Sequence, residues 1–329
     1  MSPHQTDVDI RPAPPVETDQ ALLIRRVETE ARGVISLELA APDGSPLPPW
    51  TPGAHLSLRL ESELVREYSL CGDPHDRHTY RIAVLDDPQG RGGSREVHRT
   101  AVQGAVVTVR GPRNNFALLP AERYLFIAGG IGITPILPMV RHAAAQAADW
   151  SLLYGGRSLS SMAFVDELRS LGGPRLTLVP QDEQGLPDIA GFLARTGLVY
   201  CCGPPGLIQA VQQHCSAHGL ANSLHIERFG PAGTPEPTGQ DSAIEVELRR
   251  TGKRVSVPPG SSILKAVRGI LPTYPSSCEE GYCGTCEARV LAGVPEHRDS
   301  VLSPEERAAN DCMMICVSRA TTPTLALDL

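Results

Sequence analysis

At 329 residues, 41 % apolar and 20 % charged, the chain is too long for one small module, given roughly 100–200 residues per domain, and too apolar for wholesale disorder. A net charge of −7 with no extended run of Lys or Arg excludes the phosphate-neutralising surface on which nucleic-acid binding depends. Nucleic acid is therefore not an expected partner.

Residues 1–19 carry Pro12, Pro14 and Pro15 among polar neighbours and lack the apolar core of a secretory signal, so they are expected to form a flexible leader. From 20 to 118 the pattern is of short apolar and β-branched runs, at 21–27, 33–39, 55–60, 80–85 and 105–109, with turn residues such as Asp43-Gly44 and Pro52-Gly53 between them. That spacing predicts an antiparallel sheet or barrel. From 119 to 230 strand-like runs at 124–128, 151–154, 175–179, 198–202 and 223–226 alternate with helix-like stretches at 134–147, 160–171 and 207–218. This is the pattern of a parallel, doubly wound α/β sheet. The most apolar helix candidate, at 133–140, is interrupted by Pro135 and Pro138 and is too short to span a bilayer, so no membrane partner is expected and the protein is placed in the cytoplasm. Residues 231–241, rich in Pro and Gly, suit a linker. After it, 244–248 and 254–257 resemble a hairpin, followed by a helix at 261–268.

Five of the nine cysteines, Cys278, Cys283, Cys286, Cys312 and Cys316, crowd into 242–329. The spacing Cys278-x4-Cys283-x2-Cys286, followed after a 29-residue gap by Cys316, matches the plant-type 2Fe-2S ligand pattern. Zinc is the rival, but structural zinc sites favour short paired spacings, and no Cys-x-His pair is available for a Rieske centre. Cys312 competes for the fourth position, and the gap favours Cys316. Gly281 and Gly284 let the backbone wrap closely, with N–H groups free to meet cluster sulfurs.

These cysteines, with Arg66-Glu67-Tyr68-Ser69, Gly90-Arg91-Gly92-Gly93-Ser94, Pro112-Arg113-Asn114-Asn115-Phe116, the run from Ala128 to Pro135, Cys201-Cys202-Gly203-Pro204 and Ile226-Glu227-Arg228-Phe229-Gly230, resemble the phthalate dioxygenase reductase and vanillate demethylase oxidoreductase family. The resemblance implies an FMN-binding β-barrel, an NAD-binding α/β domain and a β-grasp ferredoxin domain on one chain.

It implies roles for residues as well. Arg66 offers a planar fork of donors for the FMN phosphate, Tyr68 a face for the flavin ring, and Ser69 a hydroxyl where hydride arrives, the one residue placed in catalysis. Gly92, Gly93 and Ser94 are expected to open a helix onto the phosphate, although the acidic Asp86-Asp87 precedes them where relatives often carry a basic residue. Gly130 and Gly132 are expected to admit a pyrophosphate at the start of a helix that Thr134 caps and Pro135 begins. Cys202, Gly203 and Pro204 line the nicotinamide subsite, and Phe229 lies near the flavin. Arg157 can grip a 2′-phosphate or stack on adenine, while the family favours NADH over NADPH.

Nicotinamide gives two electrons as hydride and a 2Fe-2S cluster accepts one, so a flavin is expected between them. The function implied is the reductase component of a bacterial oxygenase system, a monomer that serves a Rieske-type terminal oxygenase or demethylase. A haem-thiolate monooxygenase as acceptor, and a non-catalytic redox sensor, stand as alternatives. Residues 242–329 hold 10 Lys plus Arg against 11 Asp plus Glu, so the donor domain is nearly neutral and a transient partner contact is expected. Glu279 and Glu280 can face that partner or form a solvated turn.

Overall fold

The computed structural model describes residues 19–90, 92–230, 241–276, 278–302 and 304–329. Of the leader expected at 1–19 only Asp19 is described, and it pairs with Arg59 at 2.6 Å and Arg110 at 2.7 Å. Of the linker expected at 231–241 only Asp241 is described, paired with Arg298 at 2.7 Å. Arg91 of the Gly90 to Ser94 motif also lies outside the described residues.

The first sheet contains β1 (Gln20–Ala31), β2 (Val34–Ala40), β3 (Ala54–Arg59), β4 (Val65–Ser69), β5 (Tyr80–Leu85) and, after helix α1 (Gly93–Thr100), β6 (Val106–Asn114). Its order is β4-β3-β6-β1-β2-β5, antiparallel throughout. An antiparallel bridge from Leu70 to Ile82 and the Cys71 N–H to Arg81 carbonyl bond at 2.8 Å join the two edges into a barrel. Leu22, Leu37, Leu56, Leu58, Tyr80 and Val84 fill its interior. The strand that carries Arg66 to Ser69 was not among the apolar runs of the sequence. Its residues are polar except at Val65, half-buried from Val65 to Tyr68 and buried at Ser69, so alternation gives no signal there.

The second sheet is parallel: β7 (Arg123–Gly129), then α2 (Ile133–Ala145), β8 (Asp149–Gly156), α3 (Val165–Gly172), β9 (Leu176–Pro180), two short helical turns α4 (Gln181–Gln184) and α5 (Ile189–Phe192), β10 (Leu198–Cys202), α6 (Pro205–Ala217) and β11 (Leu224–Glu227). Its order β11-β10-β7-β8-β9 reverses direction between β7 and β10. Both strands are buried almost end to end, as central parallel strands are. Tyr124, Phe126 and Ala128 pack beneath α2 on one face, while Leu125, Ile127 and Val199 pack beneath α6 on the other, so the sheet is doubly wound.

Two expectations about α2 are corrected. Pro135 and Pro138 do not break it: Pro135 falls in the first turn, where its missing N–H has no helical partner to lose, and Pro138 is carried by a helix buried on nearly every side. Nor does Thr134 cap it. The flanking residue is Gly132, and the Thr134 hydroxyl donates to the Ile131 carbonyl at 3.0 Å.

Barrel and α/β sheet share a core, since Val34, Cys71 and Ala83 pack with Phe116, Phe126 and Met139. Arg141 on α2 donates to the Cys71 carbonyl at 2.8 Å and the Gly72 carbonyl at 2.5 Å. The connection after β6 is pinned by two phenols. Tyr200 accepts from the Leu119 N–H at 2.8 Å and donates to the Ala117 carbonyl at 3.2 Å, and Tyr124 accepts from the Ala121 N–H and donates to the Leu119 carbonyl.

The last unit comprises β12 (Ile244–Leu248), β13 (Lys253–Val257), α7 (Ile263–Arg268), β14 (Glu287–Ala292), β15 (Pro295–Glu296), α8 (Pro304–Ala309), β16 (Cys312–Met314), β17 (Arg319–Ala320) and β18 (Thr324–Leu327). Its main sheet, β13-β12-β18-β14-β16, is mixed: β12 and β18 run parallel and the other pairs antiparallel, with α7 packed across it in the manner of a β-grasp. The hairpin and α7 were legible beforehand; strands β14 to β18 were not.

Candidate redox site

Three clusters of the expected residues are built at the ends of these elements. The first lies where β4 runs past α1. The left-handed Gly92, at φ 91°, turns the chain into α1, whose first turn has no side-chain cap. A Cβ on Gly93 would stand 2.7 Å from Arg66 Nε, so the guanidinium lies directly against the helix start. Arg66 Nη1 donates to the Val65 carbonyl at 2.8 Å, but Nη2 is buried with no hydrogen-bond partner. A buried, unpaired guanidinium nitrogen beside a helix N-terminus fits a phosphate. The Ser94 hydroxyl accepts from the Asp87 N–H at 3.1 Å and keeps its own proton to donate. The Asp87 carboxylate accepts from the Gln89 N–H at 3.0 Å within its own turn. Tyr68 is half-buried, and burial pushes its hydroxyl pKa up.

The second cluster sits where the sheet order reverses, the usual ligand crevice of an open α/β sheet. Gly129 ends β7, Gly130 to Gly132 form a 3-10 turn, and Cys202, Gly203 and Pro204 end β10 alongside. A Cβ on Gly132 would collide with the Cys202 carbonyl, and one on Gly129 would reach Pro204 Cδ at 2.6 Å. Those glycines therefore let two backbones touch, whereas Gly130, at φ +53°, faces open space. Thr134 is buried and turned into the loop. Arg157 lies exposed past the end of β8. Phe229 is 41 % exposed just beyond β11.

One residue here was quoted as part of a motif without a role. Glu227, the last residue of β11, pairs with Cys202 across the sheet and accepts from the Ser69 hydroxyl at 3.2 Å. Burial, reinforced by the charge of Glu67, pushes its carboxyl up to about 8, against the pull of the Ser69 bond, so Glu227 holds a proton at neutral pH. Ser69 itself is 4 % exposed and belongs to the barrel; Glu227 belongs to the α/β sheet. The signal available in the sequence was an acid at a strand end beside the crevice.

The third cluster is the cysteine loop. Cys278, Cys283, Cys286 and Cys316 are all buried. Among the described residues no three His, Cys, Asp or Glu side chains gather as they would around one ion. The thiols interact in two pairs instead, Cys278 with Cys283 and Cys286 with Cys316. Two pairs suit a binuclear cluster better than a single tetrahedral zinc. In the first pair the neighbouring Cys278 thiol holds Cys283 below the ordinary range of a thiol. The Glu280 N–H meets Cys278 Sγ at 3.3 Å and the Cys278 N–H meets Cys283 Sγ at 3.5 Å, while Gly281 donates from its backbone to Cys316. Gly281 sits at φ +73°, and a Cβ there would strike Val317. Cys312, half-buried on β16, lies among acidic side chains, and burial raises it to about 11. Of the two acids considered for partner contact, Glu279 pairs with Arg268 at 2.7 Å.

Residues 126–213 match the family model of the oxidoreductase NAD-binding domain, and residues 246–321 that of the 2Fe-2S iron-sulfur cluster binding domain. The vanillate O-demethylase oxidoreductase of Pseudomonas putida is 42 % identical, with 91 % of this chain and 96 % of that one aligned. The structure of phthalate dioxygenase reductase, described as modular for electron transfer from pyridine nucleotides to [2Fe-2S], superposes with a TM-score of 0.69 at 36 % identity, covering 94 % of this chain and 98 % of the other. An intact type IV self-sufficient cytochrome P450 monooxygenase superposes with a TM-score of 0.86 at 40 % identity; the match covers 94 % of this chain and 41 % of that protein's length. With fold, donor set and relatives in agreement, the chain belongs to the family of NAD-binding, 2Fe-2S oxidoreductases that serve oxygenase systems, alongside phthalate dioxygenase reductase and vanillate O-demethylase oxidoreductase.

Proposed function

We propose that the chain takes hydride from NADH and delivers single electrons, by way of FMN and a 2Fe-2S cluster, to a separate Rieske-type terminal oxygenase or demethylase. The reading rests on the Ser69 to Glu227 hydrogen bond, which joins the barrel wall to the crevice of the α/β sheet. Hydride transfer needs donor and acceptor rings in contact, and the two candidate pockets share that wall. Bound FMN would supply the conversion of a two-electron donor to one-electron steps.

The chain's own residues do the rest. Arg66, Gly92, Gly93 and Ser94 hold the phosphate, and Tyr68 and Phe229 flank the ring. Gly130, Gly132, Thr134, Arg157, Cys202, Gly203 and Pro204 shape the dinucleotide crevice. Ser69 and Glu227 keep a hydrogen bond where hydride passes. Cys278, Cys283, Cys286 and Cys316 hold the irons while backbone N–H groups offset the charge on the sulfurs. The partition into leader 1–19, flavin barrel 20–118, NAD domain 119–230, linker 231–241 and ferredoxin domain 242–329 belongs to the same proposal, as do a monomeric state and a cytoplasmic setting. Among the described residues no helix is long and apolar enough to cross a membrane.

Anaerobic NADH titration tests the reading: flavin bleaching should be accompanied by the paramagnetic resonance signal of a reduced 2Fe-2S cluster. Bleaching with the cluster left oxidised, or release of FAD instead of FMN, refutes it. A haem-thiolate acceptor is the second reading, favoured by the match to the self-sufficient P450 monooxygenase. Reduction rates with each acceptor class separate the two.

A further inference from the structure

The loop that carries Cys283 does not stand alone. Asn115, just past β6, donates from Nδ2 to the Cys283 carbonyl at 2.7 Å, and Arg113, on β6, donates from Nη1 to Thr285 Oγ1 at 2.8 Å. Thr285 Oγ1 is in turn 3.3 Å from Cys283 Sγ. Gly284 lies between, where a Cβ would stand 3.2 Å from Asn115 Nδ2, so the loop is held close against the barrel. The register extends the contact inward: Arg113 pairs with His55, and His55 pairs with Ser69. The clamp and the serine at the hydride wall thus flank His55, on the strands either side of β3.

We propose that Arg113 and Asn115 are positioning residues that clamp the cluster loop to the barrel, and that Arg113, by occupying the acceptor side of Thr285, directs that hydroxyl's proton to the Cys283 sulfur. The proposal rests on the reading of Cys278, Cys283, Cys286 and Cys316 as cluster ligands. A guanidinium cannot accept a hydrogen bond, so with Nη1 seated on Thr285 Oγ1 the threonine proton must point elsewhere. Metal binding strips the Cys283 thiol of the proton with which it meets Thr285 Oγ1 at 3.3 Å, leaving a thiolate that can only accept. Hydrogen bonds to ligand sulfurs raise the potential of an iron-sulfur cluster, so the clamp joins docking of the loop to tuning of the cluster.

Four variants of the full holoprotein test this: Asn115→Ala, Arg113→Gln, Thr285→Val and Thr285→Ser. Iron content and NADH-to-ferricyanide turnover through the flavin should be unchanged in all four. Loss of one charge-assisted bond should lower the docked population, and with it flavin-to-cluster electron transfer followed by stopped flow, roughly tenfold in Arg113→Gln. Asn115→Ala should slow transfer and leave the potential in place. Thr285→Val and Arg113→Gln should each move the cluster midpoint potential to more negative values, the double variant should go no further, and Thr285→Ser should match wild type. Iron-replete Arg113→Gln with wild-type potential and transfer rate overturns the clamp, and so does a fully additive double variant. If Thr285→Val loses iron, Arg113→Gln, which leaves Thr285 and every cysteine in place, carries the decision. Wild-type protein that binds no iron overturns the cluster reading itself.

Discussion

Replacing Glu227 with Gln removes one proton-binding group from the wall between barrel and α/β sheet. Burial holds that carboxyl at about 8 against an ordinary 4.5, so the folded chain keeps a proton that the unfolded chain has lost over this range. Where the folded state binds more protons, stability falls as pH rises. The stability is fully present below pH 4.5 and is lost progressively up to about pH 8. At about 1.36 kcal/mol per pH unit, the whole span amounts to roughly 5 kcal/mol, and roughly 2–3 kcal/mol of it falls between pH 6 and pH 9. Glu227→Gln keeps a polar group opposite Ser69 and does not titrate, so it should match wild type below pH 4.5 and its advantage over wild type should grow by roughly 2–3 kcal/mol between pH 6 and pH 9. Urea unfolding followed by fluorescence reads this directly, because the chain's two tryptophans, Trp50 and Trp150, lie in the barrel core and the α/β sheet. Parallel stability curves for the two proteins from pH 6 to pH 9 would refute the reasoning.

Arg66→Met should weaken FMN binding by roughly 10- to 150-fold, the worth of a charge-assisted contact, and equilibrium dialysis of the apoflavoprotein checks it; unchanged affinity removes Arg66 from the phosphate site. Cys316→Ser should abolish the reduced-cluster resonance signal and leave NADH-to-ferricyanide turnover intact, whereas Cys312→Ser should leave both; the reverse pattern exchanges their roles. Gly132→Ala should lower the melting free energy by about 1–3 kcal/mol, since the new methyl meets the Cys202 carbonyl, while Gly130→Val should act chiefly on KM for the nicotinamide cofactor. Melting curves and steady-state kinetics on the pair separate packing from binding.

The cysteine spacing made the cluster legible, because ligand intervals in a wrapped loop are a sequence property. The alternation of 119–230 likewise made the parallel sheet legible, since central strands such as β7 and β10 are continuous apolar runs. What sequence reasoning missed has a common cause: residues whose role depends on a neighbour far along the chain. Strand β4 was hidden because residues such as Arg66, Glu67 and Ser69 face polar partners, and so break the pattern that marks a strand. Glu227 stood as one acid in a short motif until Ser69, 158 residues away, came within hydrogen-bond reach. The sequence pattern points Gly130 and Gly132 alike at a pyrophosphate. Only the structure separates Gly129 and Gly132, which admit the β10 loop, from Gly130, which stays open. Pro138 was treated as a break on local propensity, and burial of the surrounding helix overrode it.

The pinning of the chain after β6 by Tyr200 and Tyr124 bears on the pace of turnover. A hinge needs residues free to absorb changes of backbone angle, and here the backbone at Ala117, Leu119 and Ala121 is tied to phenols rooted in the sheet interior. The connection between barrel and α/β sheet is therefore tethered rather than free, and any closing stroke of one half upon the other would first have to break these bonds.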